Sequence, residues 1–587
     1  MLIKNNKVNK NKKNNVKNKL KNLFFKNIIK SSVFICYTIV LTVVVVNISE
    51  PTRRKLIEAK IQSSLPAEVE YELKKVRFIK HPISWVKGVI SPSEKLVLDI
   101  NFKNIKKLEK KRDEALKLGI LIADDRDFVN TKISNKDENV KAKIRIKGDW
   151  PTHFNHKKKW SFRVKVSDGK TIMGMNKFSL HTPPKRHNLW EWVYHELLKE
   201  EGLPTIKYNF VNLILNGENL GVYAIEQHFE KILLESNNFK EGPILRLSED
   251  VMWDYIGQSK KYNIPAIYSP NESFYNTEPK VFKEKKTLSN EVLKNQFQKA
   301  SQLLSGFHTG ELNTSEVFAI EPLARFFAIS DLMNSWHSTR WHNQRFYYDP
   351  TSSLLVPIGF DGMGGSKKGE IAPLYLSSYK FLAGEDNELA YFNDPEFVKS
   401  YISTLERISN SSYLDNFFQK INYKLNYNAN VVRKSFPEVS IKKIKDNLYK
   451  HQKVIKAHLN PASDPIKVFL QKYSDKYVTL SIGNNQHLPI EVIAIKENDK
   501  ELVKLVDSVY INSKRKNNYI NYKEFNFKLK NNNIKDLNNL NIEYKISGSS
   551  KVRTRKIAPF SRLENIQAKN DPIRTESKLD NFEFIIH

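Results

Sequence analysis

The chain of 587 residues exceeds the length of one typical domain, so we expect two or three folded units. Its hydrophobic fraction of 40% and charged fraction of 27% are those of a globular protein and exclude disorder as the main state. The net charge of +32 is compatible with nucleic acid, an anionic membrane or an acidic polymer as a partner. Lysine recurs along the whole chain without a recognised nucleic-acid-binding module, so no nucleic-acid partner is expected. The single cysteine, Cys36, excludes an intramolecular disulfide framework and a cysteine-rich zinc site.

The N-terminal part of the chain has the pattern of a membrane anchor. Residues 1–30 form a basic tail without an acidic residue, and residues 31–48 are apolar and uncharged. The apolar run is long enough to cross a bilayer as a slightly short helix, and no small-residue cleavage pattern follows it. We expect a single-pass signal anchor in a bacterial inner membrane, with the N-terminus inside and the bulk of the chain outside the cytoplasm. The alternative, a buried core helix, fits poorly behind a polycationic tail. Residues 49–94 are predicted to form a charged, partly helical stalk.

Residues 95–385 are predicted to form an α+β core. A strand begins at residue 95, and a helix that ends at Gly119 follows it. Further elements are strands at 140–147, 160–166 and 175–180, a helix at 189–200, and a hairpin at 209–226 with an Asn-Gly turn. In the strand at 160–166, Arg163 and Lys165 lie on the face opposite Phe162 and Val164. By itself this pattern is also that of a solvated sheet face.

A second hairpin is predicted after helices at 289–304 and 315–335. Its strands are 345–348 and 354–360, so Asn343 just before the first strand and Asp361 just after the second lie at the same end. An amide oxygen and a carboxylate beside a glycine-rich turn, GMGG at 362–365, suit a site for magnesium and phosphate. The alternative is a plain hairpin with a surface aspartate and an asparagine cap.

The last 200 residues change character twice. Residues 386–460 have apolar residues spaced by three and four, which predicts a helical extension. Residues 461–587 alternate short strands with Asn/Lys turns, which predicts a small β-sandwich-like domain.

Several of these segments together resemble the CotH kinase family, atypical secreted kinases named after a spore coat protein. The resemblance covers roughly residues 95–400 and rests on the order and spacing of its segments. These are RIKGDW at 145–150, KWSFRVKV at 159–166, GMNKFSL at 174–180, Arg186 with the helix WEWVYHELLKEEGLP, VNLILNGENLGVYAIEQHF at 211–229, and the second hairpin. The form RWHNQRFYYDP…PIGFDG is similar to that of a bacterial membrane-anchored subgroup.

The resemblance implies a two-lobed kinase-like fold that binds ATP and Mg²⁺ or Mn²⁺ and transfers the γ-phosphate to a hydroxyl group. By position, Lys165, or Arg163 beside it, falls where a cation holds the nucleotide phosphates, and Glu226 would be its ion-pair partner. The remaining candidates are Arg186 for the cofactor and Asp361 and Asn343 for the metal. Phosphoryl transfer needs charge neutralisation and positioning more than covalent chemistry, which agrees with this set.

The expected catalytic base is missing. Kinases place it five residues before the metal-binding Asn343, where this chain has Ser338, whose hydroxyl is a poor base at neutral pH. His337 or His342 could replace it because imidazole titrates near neutral pH, and Asp331 lies one or two helical turns earlier. The alternative for both histidines is packing among neighbouring aromatic residues.

Two functions are therefore expected. The first is a membrane-anchored kinase that phosphorylates an extracytoplasmic protein or polysaccharide. The second is a kinase-fold protein without transfer activity that acts as a binding or assembly factor for cell-envelope or surface polymer. Ser338 at the base position and the C-terminal β region, which looks like an interaction module, favour the second. Gly362 stands in place of the family's second acid after Asp361, which implies either altered or lost chemistry. A metal-dependent hydrolase or nucleotidyl transferase is a third alternative, but it lacks a second clear carboxylate beside Asp361.

Overall fold

The computed structural model describes residues 78, 81–136, 138–264, 274, 277–362, 390–514, 520–530 and 534–558. The basic tail, the apolar segment 31–48 and nearly all of the stalk up to residue 80 lie outside these ranges, so the anchor stays a prediction. Within the ranges that are described, no helix is both long and apolar enough to cross a membrane.

The chain divides into two compact units, one of residues 1–91 with 432–439 and one of residues 92–431 with 440–587. The described part of the smaller unit contains helix α1 (Pro82–Ile90). Its proline lies in the first turn, where a backbone N–H would have no hydrogen-bond partner within the helix. In the same unit, Gly88 of α1 lies against the backbone of Arg433 and Lys434.

The larger unit begins with a closed barrel of seven strands in the order β1-β2-β3-β4-β5-β7-β6, closed by parallel pairing of β1 with β6. The strands are β1 (Lys95–Asp99), β2 (Val129–Asn135), β3 (Glu138–Ile146), β4 (Phe162–Val166), β5 (Lys177–His181), β6 (Tyr208–Leu215) and β7 (Glu218–Gln227). Alternate side chains point inward and form one core, which α2 (Phe102–Leu118) joins through Leu108 and Ala115. Strand β2 was not predicted because two of its inward positions are polar, Thr131 and Asn135.

The predicted faces of β4 are confirmed. Phe162 and Val164 are fully buried inside the barrel, while Arg163 and Lys165 are only partly buried and lie outside it. Helix α3 (Leu189–Glu200) has the bounds that its amphipathic pattern predicts.

A four-stranded sheet in the order β11-β10-β8-β9 follows the barrel. Its strands are β8 (Ile244–Leu247), β9 (Pro279–Val281), β10 (Phe346–Asp349) and β11 (Leu354–Pro357). The second hairpin is present as β10 and β11, but β11 ends earlier than predicted. After Pro357 the chain leaves the sheet, and Gly359 pairs instead with Thr205, just beyond α3. This departure carries Asp361 to the N-terminal half of α3, where the backbone N–H of the next residue, Gly362, donates to Glu191.

The helices of this unit include α4 (Lys231–Ser236), α5 (Asp250–Tyr262), α6 (Glu284–Ser289), α7 (Glu291–Thr309), α8 (Thr314–Val317), α9 (Ile320–Met333), α10 (Pro395–Ile408), α11 (Ser411–Arg433) and α12 (Ile441–His458). The single helix predicted at 315–335 is split into α8 and α9, because Phe318 is extended and pairs with Leu355 of β11. Helix α9 packs against α3, α10 and α12.

The C-terminal region contains two antiparallel sheets, β12-β13-β16 and β15-β14-β17-β18, that share one hydrophobic core. The strands are β12 (Ile466–Tyr473), β13 (Tyr477–Asn484), β14 (Ile490–Glu497), β15 (Lys500–Ile511), β16 (Lys523–Lys528), β17 (Leu540–Ile546) and β18 (Val552–Lys556). The edge strand β18 was missed because its sequence, VRTRK, is almost entirely polar, as suits an exposed sheet edge. The mixture of helix and sheet confirms an α+β fold, while a two-lobed kinase arrangement stays a prediction.

Candidate active site

Strand register on the barrel places a row of polar residues across β3, β4, β5 and β7. Arg145 pairs with Arg163, Arg163 with Ser179, and Ser179 with Glu226. Directly paired residues project to the same face of a sheet. Their neighbours one residue along, such as Ile144 and Val164, belong to the barrel core, so this row lies on the outside of the barrel.

Glu226 is the buried carboxylate at the centre of the site. Lys147 Nζ lies 2.7 Å from Glu226 Oε1, and the two side chains are 13% and 2% exposed. On the other oxygen, Oε2, His181 Nε2 lies at 3.6 Å and Arg186 Nε at 3.7 Å. Burial alone would raise the pKa of Glu226, but the charge of Lys147, together with the His181 imidazole and the Arg186 guanidinium, holds that pKa well below its usual range. Burial and the charges of Arg163 and Arg186 lower the pKa of Lys147 to about 8.

The expected ion pair between Lys165 and Glu226 is wrong. Lys165 Nζ lies 2.9 Å from Asp125 Oδ1 and 4.3 Å from the centre of the Phe128 ring. The strand register explains the difference, because Arg163 is in the row of Glu226 while Lys165 is one row further along. Whether Lys165 or Arg163 contacts a nucleotide stays a prediction.

The cation that pairs with Glu226, Lys147, was not among the candidate residues. It directly follows β3, and its backbone N–H donates to the carbonyl of Ser161 at the start of β4. The signal was present, since Lys147 is the lysine of the RIKGDW segment that contributes to the family resemblance. Choosing it over Lys165 requires knowledge of which strands are neighbours.

Arg186 connects Glu226 to Asp361. It ends a short 3₁₀ turn, Pro183–Arg186, immediately before α3. Its Nη1 lies 2.6 Å from Asp361 Oδ1, while its Nε faces Glu226. Burial opposes the charge of Arg186, but Asp361 and Glu226 outweigh this and raise its pKa. The predicted site residue Arg186 is therefore the ion-pair partner of two predicted carboxylates.

Asp361 is held in a left-handed backbone conformation, with φ +53°. The next backbone N–H, that of Gly362, donates to Glu191 Oε1 at 3.1 Å, and Glu191 is fully buried on α3. A Cβ atom at position 362 would lie 2.8 Å from the ring of Tyr194. A side chain there would force the Tyr194 ring to move, so a second acid directly after Asp361 is sterically disfavoured. Glu191 was also missed, although an acid within the otherwise apolar face of α3 was a signal for it.

His337 lies between Asp361 and Asn343. Its Nδ1 is 3.3 Å from Asp361 Oδ1 and 3.1 Å from the Asp361 carbonyl oxygen. Asn343 Nδ2 lies 3.0 Å from His337 Nδ1 and donates to the His337 carbonyl at 3.0 Å. Burial opposes protonation of His337, but the Asp361 carboxylate outweighs it and raises the pKa of the imidazole. His342 packs edge-on against the rings of His337 and Trp341, as the packing alternative predicts.

Ser338, at the expected position of the base, and Asp331 both have structural contacts. Ser338 is buried, and its hydroxyl donates to the carbonyl of Ser335 at 2.7 Å. Asp331 is buried on α9 and accepts a hydrogen bond from the Tyr401 hydroxyl. The structure therefore brings together Glu226, Arg186, Asp361, His337 and Asn343, with Arg163 in the same row, and leaves Lys165 apart.

The residues present fit a divalent cation that keeps most of its own waters. In the described part of the chain, no cluster of three or more His, Cys, Asp or Glu could hold a metal ion. Asp361 Oδ1 is buried and lies 2.6 Å from Arg186 Nη1, so a divalent cation would share this carboxylate with Arg186. Mg²⁺ in phosphate sites is often held by only one or two carboxylates and otherwise by water, so Asp361 with Asn343 would be the residues to hold it.

Comparison with known proteins identifies the family of the chain. The model of the CotH family, described as CotH kinase protein, matches residues 144–461. This range is more than half of the chain and contains Lys147, Glu226, Arg186, Asp361 and His337. It starts later than the predicted resemblance and extends through α12. The comparison with curated proteins gives no match. The chain belongs to the CotH kinase family, and its function is kinase-like.

Proposed function

We propose that this protein is an ATP-dependent phosphotransferase, anchored in a bacterial membrane by residues 31–48, that phosphorylates a hydroxyl of an extracytoplasmic protein or glycan. One observation carries the proposal. A continuous buried series of ion pairs runs from Lys147 through Glu226 and Arg186 to Asp361 and His337. Such a series places fixed positive and negative charges side by side, as phosphoryl transfer requires.

The buried cations favour a phosphate-bearing ligand. Lys147 and Arg186 lie against Glu226, and Arg163 is close enough to interact electrostatically with the same carboxylate. Burial lowers the pKa of Arg163 to about 10, and its Nε has no hydrogen-bond partner. Nucleotide phosphates would supply a charged acceptor for Arg163.

His337 is placed to accept the proton of the acceptor hydroxyl. Its side chain is 22% exposed, so a substrate can reach it, while Asp361 orients its Nδ1 side. Above its raised pKa the neutral imidazole accepts the proton, and Asp361 stabilises the imidazolium that forms. A divalent cation held by Asp361 and Asn343 would neutralise the phosphate oxygens when bound.

The first test is thermal stabilisation of the full chain by ATP with Mg²⁺ or Mn²⁺. A ligand that binds only the native state at a hundredfold excess over Kd raises the free energy of unfolding by about 2.7 kcal/mol. We expect a metal-dependent shift in the wild type that is lost in Asp361→Asn. Asp125→Asn, which changes an exposed carboxylate on the same barrel, is the matched control and should keep the shift. An unchanged shift in Asp361→Asn would remove Asp361 from the site.

The second candidate function is binding or assembly of a cell-envelope polymer without phosphoryl transfer. Ser338 favours it, because the residue at the base position is buried and bonded to a backbone carbonyl. The close contact of Arg186 with Asp361 favours it as well, since a cation already occupies one oxygen of that carboxylate. The absence of any nucleotide-dependent shift would favour this second function, and binding of envelope glycans would then be measured.

A further inference from the structure

Helix α1 exposes the face that carries its large apolar residues and buries the face that carries glycine and serine. Successive residues of an α-helix are about 100° apart, so Ile83, Val86 and Ile90 form one stripe. These residues are 71%, 48% and 75% exposed. On the other side Gly88 is buried and Ser84 is half-buried. This order is the reverse of that in a surface helix of a soluble protein, which turns its apolar stripe inward.

Close packing keeps the helix in this orientation. A Cβ atom on Gly88 would lie 2.6 Å from the backbone N of Lys434 and 2.7 Å from the backbone carbon of Arg433. The backbone of α1 therefore touches segment 432–439 at a position where only glycine fits. If α1 rotated to bury Ile83 and Ile90, a large side chain would face segment 432–439 at the place where Gly88 now lies, and it would clash with that backbone.

The exposed surface is wider than the stripe. Trp85 and Val89 are also exposed and lie beside it, so more than 150° of the circumference of α1 is apolar, by the spacing of about 100° per residue. Contiguous apolar surfaces of this kind mark contacts with a partner or a membrane.

The charges in this part of the sequence favour an anionic partner. Residues 73–90 contain five Lys or Arg residues and no acidic residue, and in the described helix Lys87 is exposed beside the apolar stripe. An apolar helix face with an exposed lysine beside it and a tryptophan at its edge has the properties of a helix that lies in the interface of an anionic bilayer. Such a bilayer complements both the apolar stripe and the positive charge.

We propose that α1 binds the surface of an anionic phospholipid bilayer, with Ile83, Val86 and Ile90 among the upper acyl chains and Lys87 at the headgroups. This contact adds a second membrane attachment to the proposed anchor at residues 31–48. It involves none of the residues of the candidate active site, so it is independent of phosphoryl transfer. The roughly thirty residues between residue 48 and α1 are enough to let both segments reach one membrane surface.

The test is the membrane depth of Trp85 in the full chain reconstituted into vesicles of phosphatidylcholine and phosphatidylglycerol. The Trp85 signal is the difference in fluorescence between the wild type and Trp85→Phe. We expect this signal to be quenched by lipids brominated near the headgroup end of their acyl chains. Quenching should be lost in the double variant Ile83→Glu/Ile90→Glu. It should persist in Ile122→Glu, the same change at an exposed isoleucine of the larger unit. Vesicles of phosphatidylcholine alone should give weaker quenching.

Each other outcome overturns the proposal in a recognisable way. If the chain binds the vesicles but Trp85 is quenched only by aqueous iodide, α1 lies in water and only the anchor survives. If Trp85 is shielded equally with and without lipid, another segment of this chain covers α1. If shielding depends on protein concentration, a second copy covers it. If the chain does not bind vesicles at all, both the anchor and the α1 contact are wrong, while nucleotide binding measured separately is unaffected.

Discussion

Lys147 Nζ lies 2.7 Å from Glu226 Oε1, although the two residues are 79 positions apart in the chain. The pair joins the end of β3 to β7 on the outside of the barrel. Glu226 is the main group that offsets the burial of Lys147, whereas Arg163 and Arg186 repel it. Its loss should therefore affect both the barrel and the site.

We predict that Lys147→Met lowers the free energy of unfolding by about 3 kcal/mol, because removing one partner of a buried ion pair leaves the other charge uncompensated. Lys165→Met is the matched control, since its partner Asp125 is largely exposed and the pair should contribute less than about 1 kcal/mol. Urea unfolding of both variants measures the two values. Equal losses would show that the Lys147 pair is no stronger than a surface pair.

The raised pKa of His337 predicts a decrease in stability as pH rises above about 6.5. Unfolded histidine titrates near pH 6.5, and Asp361 raises the folded pKa above this value. The stabilising contribution is therefore complete below about pH 6.5 and is lost as pH rises through the folded pKa. NMR titration of the His337 ring should give a pKa that Asp361→Asn lowers. If Asp361→Asn leaves it unchanged, the two groups do not interact.

The same titration predicts the pH dependence of phosphoryl transfer. Only the neutral imidazole of His337 accepts a proton, so the transfer rate should rise as pH increases through the folded pKa. His337→Gln should remove this rise, and His342→Gln should keep it, because His342 packs against the other rings. A rise that persists in His337→Gln would assign the base to another residue.

Gly362 should not tolerate even one methyl group. Its added Cβ would lie 2.8 Å from the Tyr194 ring, and overpacking of this kind costs about 1–3 kcal/mol. We expect Gly362→Ala to lower stability by that amount and to weaken nucleotide binding, because the backbone of Asp361 must move. Combining it with Tyr194→Leu should restore part of both losses in a double-mutant cycle. Strictly additive losses would mean that Tyr194 is not the obstacle.

Lys177 should react as an unusually nucleophilic lysine. Burial and the charges of Arg163 and Lys165 lower the pKa of Lys177 to about 7, so much of its amine is neutral near physiological pH. Labelling with an amine-specific reagent, quantified by mass spectrometry, should rise through pH 7 at this position. Added ATP with Mg²⁺ should slow labelling if the phosphates bind beside Arg163. Labelling that rises only above pH 9 would contradict the lowered pKa.

Several features were predictable from the sequence because they depend on local periodicity. The alternation in β4 predicts which side chains enter the barrel, and the spacing of apolar residues predicts the bounds of α3. The family was predictable as well, since the order of its segments is a property of the chain itself. Strands β2 and β18 escaped prediction because polar residues occupy positions where the pattern expects apolar ones.

The neighbours of each charged side chain were decided only by the tertiary structure. The sequence predicted Lys165 or Arg163 as the ion-pair partner of Glu226, whereas in the barrel the partner is Lys147. The reason is that the register between strands distant in sequence determines which side chains meet. Asp361 was identifiable as a candidate from the sequence, but its contacts with Arg186 and His337 were not. They arise where the chain leaves β11 and reaches α3, and no local pattern encodes that path. The sequence by itself determined the elements and the chemical types available, and the packing of those elements decided which of them form the site.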